Sequence, residues 1–354
     1  MFELCCSPIS GGNFISQSAV LTFLLEIRYK SSKIEKTHFD LYLGASGGSL
    51  SNTLATFFNE SKESVERVLY SLDSKMFVQN WWKGRASFIS SKFVSVFKDS
   101  IYQSGKGAVE NFRGLTDINH FSKTNTPENW FLTYNNDKNI PSVHSIFSED
   151  ETKFNPEDIN FETKYLNSKF EKIIETVMAS ASIPGLKKSV ELDGENHVDG
   201  GVANPSPYFY FSEMIYQKSI CEEITHPYHF HYLLPHDLSV EKENSGVWVS
   251  DVLIGIQKMI TFSIMKDKDF VFENWLRLIK KGKKDLLKIK RENIGKKELL
   301  DLLDIYHPYD YFAVFHTPSN TIDITSFDKK DLQYSFDKCY HSIFIELFIN
   351  KNEC

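Results

Sequence analysis

The stretch Phe39-Asp-Leu-Tyr-Leu-Gly-Ala-Ser-Gly-Gly-Ser-Leu50 constrains the fold of this chain more than any other. Leu41 and Leu43 alternate with polar or small neighbours, the period of a strand entering a core. Ser46 then stands inside Gly44-Ala-Ser-Gly-Gly48. That is the G-x-S-x-G pattern of a nucleophile elbow, where a sharp strand-to-helix turn lifts a serine hydroxyl clear of the sheet. Gly44 and Gly48 let neighbouring backbone pass where a Cβ would clash. After the turn, Leu50, Leu54, Phe57 and Phe58 fall on one helical face, so the helix the turn requires does follow. A glycine-rich turn with no chemical role has the same five letters; the strand before and helix after favour the nucleophile.

Upstream, Phe2 to Cys6 is short and apolar, and Ser7-Pro-Ile-Ser-Gly-Gly-Asn13 is a loop. Ile15, Ala19, Phe23 and Ile27 recur at four-residue spacing and predict an amphipathic helix running to about Tyr29. Strand, glycine loop and helix together make a site for negative charge, because loop N–H groups and a helix N-terminus point the same way. The loop precedes the elbow by one helix, where an oxyanion hole would be useful. A plain βα turn is the other reading.

The second informative region is Met178-Ala-Ser-Ala-Ser-Ile-Pro-Gly185 followed by Glu195-Asn-His-Val-Asp-Gly-Gly-Val-Ala-Asn-Pro205. His197 and Val198 lead, as a strand end, into Asp199. Gly200 and Gly201 turn the chain and leave one side of the carboxylate open; taken alone, Asp-Gly-Gly also reads as a hairpin turn.

Between and beyond these stretches the pattern is α/β. Val65, Val68, Leu69 and Leu72 form a helical stripe. Trp81, Trp82, Phe88, Phe93, Phe97 and Tyr102 make an aromatic run, read as core of a helical layer or as a lid or acyl-chain funnel over the site. Asn129 to Tyr134 predicts a strand, and Leu166 to Ser180 a helix carrying Phe170, Ile173, Ile174 and Val177. Pro227 to Leu234 predicts a strand with His229 and His231 on one face, a metal pair in need of a third ligand that is not apparent nearby. Residues 248–305 read as mostly helical. Within them Lys280 to Lys297 holds nine basic residues against Asp285 and Glu292, a solvated helix face or a contact for anionic headgroups. The chain closes as a strand at Tyr311–His316, a turn at Pro318–Asn320, a strand at Ile322–Thr325 and a helix from about Lys329 to Ile349.

Composition narrows the partners. A net charge of −7 argues against general nucleic-acid binding. Five scattered cysteines without C-x-x-C spacing lead to the expectation of a reduced, intracellular protein with neither disulfide framework nor zinc site. Met1 to Pro8 lacks the marks of a signal peptide, and the apolar window Val247 to Met265 is interrupted by Asp251 and Lys258. A soluble protein with peripheral membrane contact is expected.

Together, the early glycine loop, Gly-Ala-Ser-Gly-Gly one helix later, and Ala-Ser-Ala-Ser-Ile-Pro-Gly running into Val-Asp-Gly-Gly-Val-Ala-Asn-Pro resemble the patatin-like phospholipase family. The terminal strands and helix, with Phe327-Asp328 opening the last helix, look like its usual close. The resemblance implies an α/β/α three-layer sandwich forming one domain over residues 1–354, with 60–126 and 239–305 the least constrained. It implies a lipid acyl hydrolase, cytoplasmic and peripherally membrane-associated, acting on phospholipid or another acyl lipid with no cofactor or metal. A Ser–Asp dyad would do the chemistry, with Ser46 as nucleophile and Asp199 as general base. Backbone N–H groups around Gly11, Gly12 and Asn13, with that of Gly47, would hold the oxyanion. Gly44, Gly48, Gly200 and Gly201 would support the two motifs. The family's loop usually reads Gly-Gly-Gly-x-Arg/Lys-Gly, whereas this one is Ser10-Gly11-Gly12-Asn13-Phe14-Ile15, without the cation and the last glycine. Two alternatives stay open: a weakened or non-catalytic relative that binds lipid or a protein partner, and, as a smaller one, a conventional triad drawing on one of eleven histidines. His197 is the residue most easily mistaken for such a base, but next-but-one neighbours on a strand stand side by side, roughly 6–7 Å apart, which makes a relay through it to Asp199 awkward.

Overall fold

The computed structural model describes residues 2–31, 37–55, 62–71, 127–145, 162–165, 170–184, 189–205, 207–208, 228–236, 258–259, 261–266, 269, 286–288, 292–305, 311–320 and 329–350. The N-terminal third begins with strand β1 (Phe2–Ser7), a 3-10 turn (Gly11–Asn13) and helix α1 (Phe14–Lys30). Strand β2 (Leu41–Ala45), helix α2 (Gly47–Ala55) and helix α3 (Lys62–Ser71) follow. The middle holds β3 (Glu128–Asn135), β4 (Ile140–Ser145), β5 (Glu162–Tyr165), α4 (Phe170–Ser180), β6 (Val190–Leu192), β7 (Glu195–Asp199) and β8 (Tyr228–Leu233). The last part holds β9 (Leu286–Lys288), β10 (Glu292–Gly295), α5 (Lys296–Ile305), β11 (Tyr311–Pro318), α6 (Lys329–His341) and β12 (Ser342–Asn350).

These strands form one mixed sheet in the order β10-β12-β11-β8-β1-β2-β3-β4-β5, with the β6–β7 hairpin attached to β3 and β9 to β12. The centre, β11-β8-β1-β2-β3, is parallel, and β12 and β4 close it with antiparallel pairings. Parallel strands are covered on both faces, and β2 is accordingly buried at every residue. Cys5, Tyr42, Leu233 and Val314 meet a helical layer that contains α1, α2, α3 and α4. The alternate residues Leu4, Cys6, Leu41 and Leu43 are equally buried on the other face. A mixed central sheet with flanking helices is the expected α/β/α architecture.

Helix α1 departs from its amphipathic reading. Every residue from Phe14 to Arg28 is buried, because α2, α3, α5 and α6 all contact it while its inner face lies near the sheet. Its polar residues are satisfied internally. Gln17 Nε2 donates to the Leu233 carbonyl at 2.9 Å, Ser16 and Ser335 share a 2.8 Å hydroxyl contact, and Arg28 Nη1 donates to Glu3 Oε1 at 2.9 Å.

Two further expectations are corrected. Residues 286–288 and 292–295 are strands within a region read as mostly helical; at three and four residues they are too short to show a period of two. The terminal helix stops at His341, and Ser342–Asn350 is a strand. Ile343, Ile345 and Leu347 of that strand alternate into the core, and β12 pairs with β10 and β11 on its two sides. The aromatic run at Trp81–Tyr102 and the strand expected at Ile322–Thr325 lie outside the described residues.

Among the described residues no helix is long and apolar enough to cross a membrane. Of the basic segment, Lys296 is half-buried and pairs with Glu26 of α1 at 2.5 Å, with its Nζ 3.6 Å from the Tyr340 ring centre. It fastens α5 to the core; its neighbour Lys297 is exposed.

Candidate active site

Ser46 sits in the one-residue turn between β2 and α2, with φ at 54°, in the left-handed region that a non-glycine residue rarely adopts. The turn is forced by close approach on both sides. A Cβ on Gly48 would lie 2.0 Å from the Ser7 carbonyl oxygen, and one on Gly44 would lie 2.7 Å from the Ser49 Cα. Only glycine lets α2 start hard against the ends of β1 and β2.

Asp199 closes β7. Its register partner on β3 is Thr133, and a 3-10 turn at Gly200–Val202 follows it. A Cβ on Gly200 would meet the Leu132 carbonyl oxygen at 2.2 Å, so the glycine lets β7 end flush against β3. Gly201 gives its N–H to Asp199 Oδ1 at 2.7 Å. The other carboxylate oxygen, Oδ2, accepts a 2.7 Å hydrogen bond from Ser46 Oγ. Both residues are 1% exposed. Two motifs 153 residues apart thus meet as a buried hydroxyl on a buried carboxylate.

The glycine loop arrives at the same place. Gly11 has φ 53°, and its N lies 3.1 Å from where a Gly47 Cβ would be, with the Ser10 hydroxyl 2.5 Å from that point. The loop therefore packs directly on the elbow. Gly12 belongs to the same turn, and the Asn13 N–H is committed within it, donating to the Ser10 carbonyl at 3.0 Å.

His197 is buried on the same strand as Asp199, but its ring nitrogens point elsewhere. Nδ1 lies 2.9 Å from Thr133 Oγ1 and Nε2 lies 3.3 Å from Lys164 Nζ. A lysine ammonium only donates, so Nε2 accepts and Nδ1 carries the proton that goes to Thr133. The Thr133 hydroxyl in turn sits 2.8 Å from His144 Nε2. Of the β8 histidines, His231 stacks on His316 rather than facing a metal-like cluster. Among the described residues no group of three or more His, Cys, Asp or Glu is arranged to hold a metal ion.

Two residues of the second motif have a place that spacing alone does not indicate. Ser180 Oγ accepts the Ser46 N–H at 3.0 Å, and the Ser182 carbonyl accepts the Asp199 N–H at 2.9 Å. Their only signal in the sequence is a pair of serines two apart at a helix end before Pro184.

Comparison with known proteins bears on this site. The family model described as Patatin-like phospholipase matches residues 10–211, which include the glycine loop, the elbow and Asp199. No curated protein matches. Among solved structures, that of VipD from Legionella pneumophila is similar at 12% identity and a TM-score of 0.35, over 96% of this chain and 65% of that one.

Proposed function

Because the chain belongs to the patatin-like phospholipase family by a match over residues 10–211, we propose that it is a lipid acyl hydrolase working through Ser46 and Asp199. The observation that carries this is the 2.7 Å hydrogen bond from the Ser46 hydroxyl to the Asp199 carboxylate. A carboxylate in that position, shielded from water, takes the hydroxyl proton as Oγ attacks an ester carbonyl. The bond from Oγ to the acyl carbon forms, and the carbonyl electrons move to oxygen. As the tetrahedral species collapses, Asp199 returns the proton to the departing alcohol, leaving the acyl group on Ser46. Water repeats the sequence: Asp199 takes its proton as the water oxygen bonds to the acyl carbon, and when the acyl–Oγ bond breaks Asp199 returns that proton to Ser46 Oγ, so that the free acid leaves and the pair is restored.

The oxyanion falls to backbone donors of Gly11, Gly12 and Gly47, with Asn13 capping the turn that presents them. Each such donor is typically worth a factor of ~10² or more in rate. The substrate is a phospholipid or other acyl lipid, met by peripheral contact with a cytoplasmic membrane surface. Exposed Met259, Phe262 and Met265, interleaved with exposed Lys258 and Lys266, support such a contact.

The test is hydrolysis of a short-chain ester and of phospholipid vesicles by Ser46→Ala and Asp199→Asn, with circular dichroism to check folding. Each substitution should cut the rate by at least ~10⁴ while leaving the fold in place. Wild-type turnover in either variant would remove the dyad. A second reading, a weakened relative that binds lipid without cleaving it, is favoured by the loop itself, which lacks the family's cation and last glycine. Vesicle binding by wild-type protein with no hydrolysis and no covalent labelling of Ser46 would select it.

A further inference from the structure

Helix α4 ends at Ser180, and the chain adds one irregular turn, with the Ala181 N–H on the Val177 carbonyl at 3.0 Å and the Ser182 N–H on the Ala179 carbonyl at 2.9 Å. This turn reaches both halves of the Ser46–Asp199 pair. Ser180 is fully buried; its Oγ accepts the Ser46 N–H at 3.0 Å and donates to the Leu132 carbonyl at 2.7 Å. A hydroxyl has one proton, and here it goes to Leu132. The 2.8 Å contact between Ser49 Oγ and Ser180 Oγ therefore has Ser49 as donor. Ser180 is saturated, one bond given and two received. Ser182 acts through its backbone, accepting the Asp199 N–H at 2.9 Å, while its own hydroxyl returns to the Met178 carbonyl at 2.5 Å.

We propose that this helix end is the device that positions the pair. Ser180 is a positioning residue that holds the Ser46 backbone in its left-handed conformation, and the Ser182 carbonyl fixes where Asp199 stands. The inference rests on the hydrolase reading. Ser46 stands just before α2, so its N–H has no acceptor inside the helix and, buried, needs one elsewhere. Ser180 Oγ supplies it. Without that oxygen, the Ser46 N–H, the Ser49 hydroxyl and the Leu132 carbonyl each lose a partner at a site shut off from water. The relief available to Ser46 is rotation toward an ordinary φ, which swings its Oγ away from Asp199. Leu132 completes the frame, because the carbonyl that takes the Ser180 proton is the one against which Gly200 packs.

The experiment measures covalent labelling of the full chain by a fluorophosphonate probe. Its phosphorus takes Ser46 Oγ, fluoride leaves, and the hydroxyl proton passes to Asp199. Wild-type protein, Ser180→Ala, Ser180→Thr, Ser180→Val and Ser49→Ala are compared, with the labelled residue identified by mass spectrometry and urea midpoints recorded alongside. Ser180→Ala should lower the maximal labelling rate roughly 10- to 100-fold with little change in probe affinity, the size expected of an ångström-scale misplacement. The Thr and Val variants impose the same volume on a buried site and differ only in the hydroxyl, so Thr should label at least about tenfold faster than Val. Ser49→Ala loses a hydrogen bond of the same network and should lower the midpoint comparably, yet slow labelling only a few-fold. If Ser180→Ala and Ser180→Val label like wild type, or if Ser49→Ala slows labelling as much as Ser180→Ala does, positioning by Ser180 is overturned. Should Ser180→Ala not fold, the Thr and Val pair decides. Wild-type protein that neither labels at Ser46 nor hydrolyses esters would instead overturn the hydrolase reading, and the inference with it.

Discussion

His197 stands two residues before Asp199 on one strand, so both side chains project to the same face, and a histidine there invites assignment as a catalytic base. Its hydrogen bonds argue otherwise. Thr133 holds Nδ1 at 2.9 Å and Lys164 lies 3.3 Å from Nε2, which aims the ring along β3 and β5. On the proposed mechanism it is structural, joining a polar chain from Lys164 through Thr133 to His144. Gln in its place retains a donor and an acceptor. We expect His197→Gln to keep ester hydrolysis within a few-fold of wild type and to lower stability by ~1–2 kcal/mol. Its pH–rate profile should keep the wild-type shape, since the proton acceptor is untouched. A rate as low as that of Ser46→Ala in a folded His197→Gln protein would make the histidine the base and Asp199 its orienting partner.

At the scale of elements, β12 carries the clearest test, because the same residues read as the second half of a helix. Pairing places Phe344 opposite Thr317 on β11. Register partners on antiparallel strands have Cα atoms about 4.5–5.5 Å apart, within the span that a disulfide bridges. The double variant Thr317→Cys/Phe344→Cys should therefore cross-link on mild oxidation, giving a linked peptide in a non-reduced digest. A continued helix would carry residue 344 away from β11, and no linked peptide would form. Element α1 has a related history. Its apolar positions at four-residue spacing predicted one buried face, but the helices around it leave no exposed side before Tyr29. Polar residues on its second face are retained because each finds a partner, as Gln17 does at Leu233.

At the scale of the whole molecule, acid sensitivity follows from what the sheet buries. His231 of β8 and His316 of β11 are stacked with parallel rings 5.3 Å apart and a 3.0 Å contact between Nδ1 and Nε2. Burial pushes His316 down to about 3. Burial first, then His316, Arg28 and His229, holds His231 well below its ordinary value. The folded state thus binds fewer protons than the unfolded chain between pH 6.5 and about 3. Their contribution is intact above pH 6.5 and erodes as pH falls, by ~2 kcal/mol at pH 5 for His316, with His231 acting in the same direction. Glu195, held down to about 2 by hydrogen bonds from Lys138 and Lys164, keeps its charge through this window. Urea unfolding at pH 7.5 and 5.0 should show the loss, and His316→Gln should reduce it by about 2 kcal/mol. Equal stability at the two pH values would mean that these rings are not buried neutral.

What the sequence determined alone is what short-range geometry dictates. A strand, a glycine-bounded serine and a helix can be read from Phe39 to Leu50, because alternation, helical spacing and the glycines needed for close approach are all local. The same holds for β1, its glycine loop and α1, and for the strand that ends at Asp199. The tertiary structure alone decided that Ser46 and Asp199, 153 residues apart, share a 2.7 Å hydrogen bond, and that a serine at the end of α4 takes the Ser46 N–H. It decided the state of residues 342–350, whose alternating residues become a strand once β10 and β11 offer their unpaired edges. It also turned Lys296 from a surface charge into the partner of Glu26. In each case the deciding energy comes from burial, edge pairing or charge pairing between segments far apart in the chain, and no window of neighbouring residues contains it.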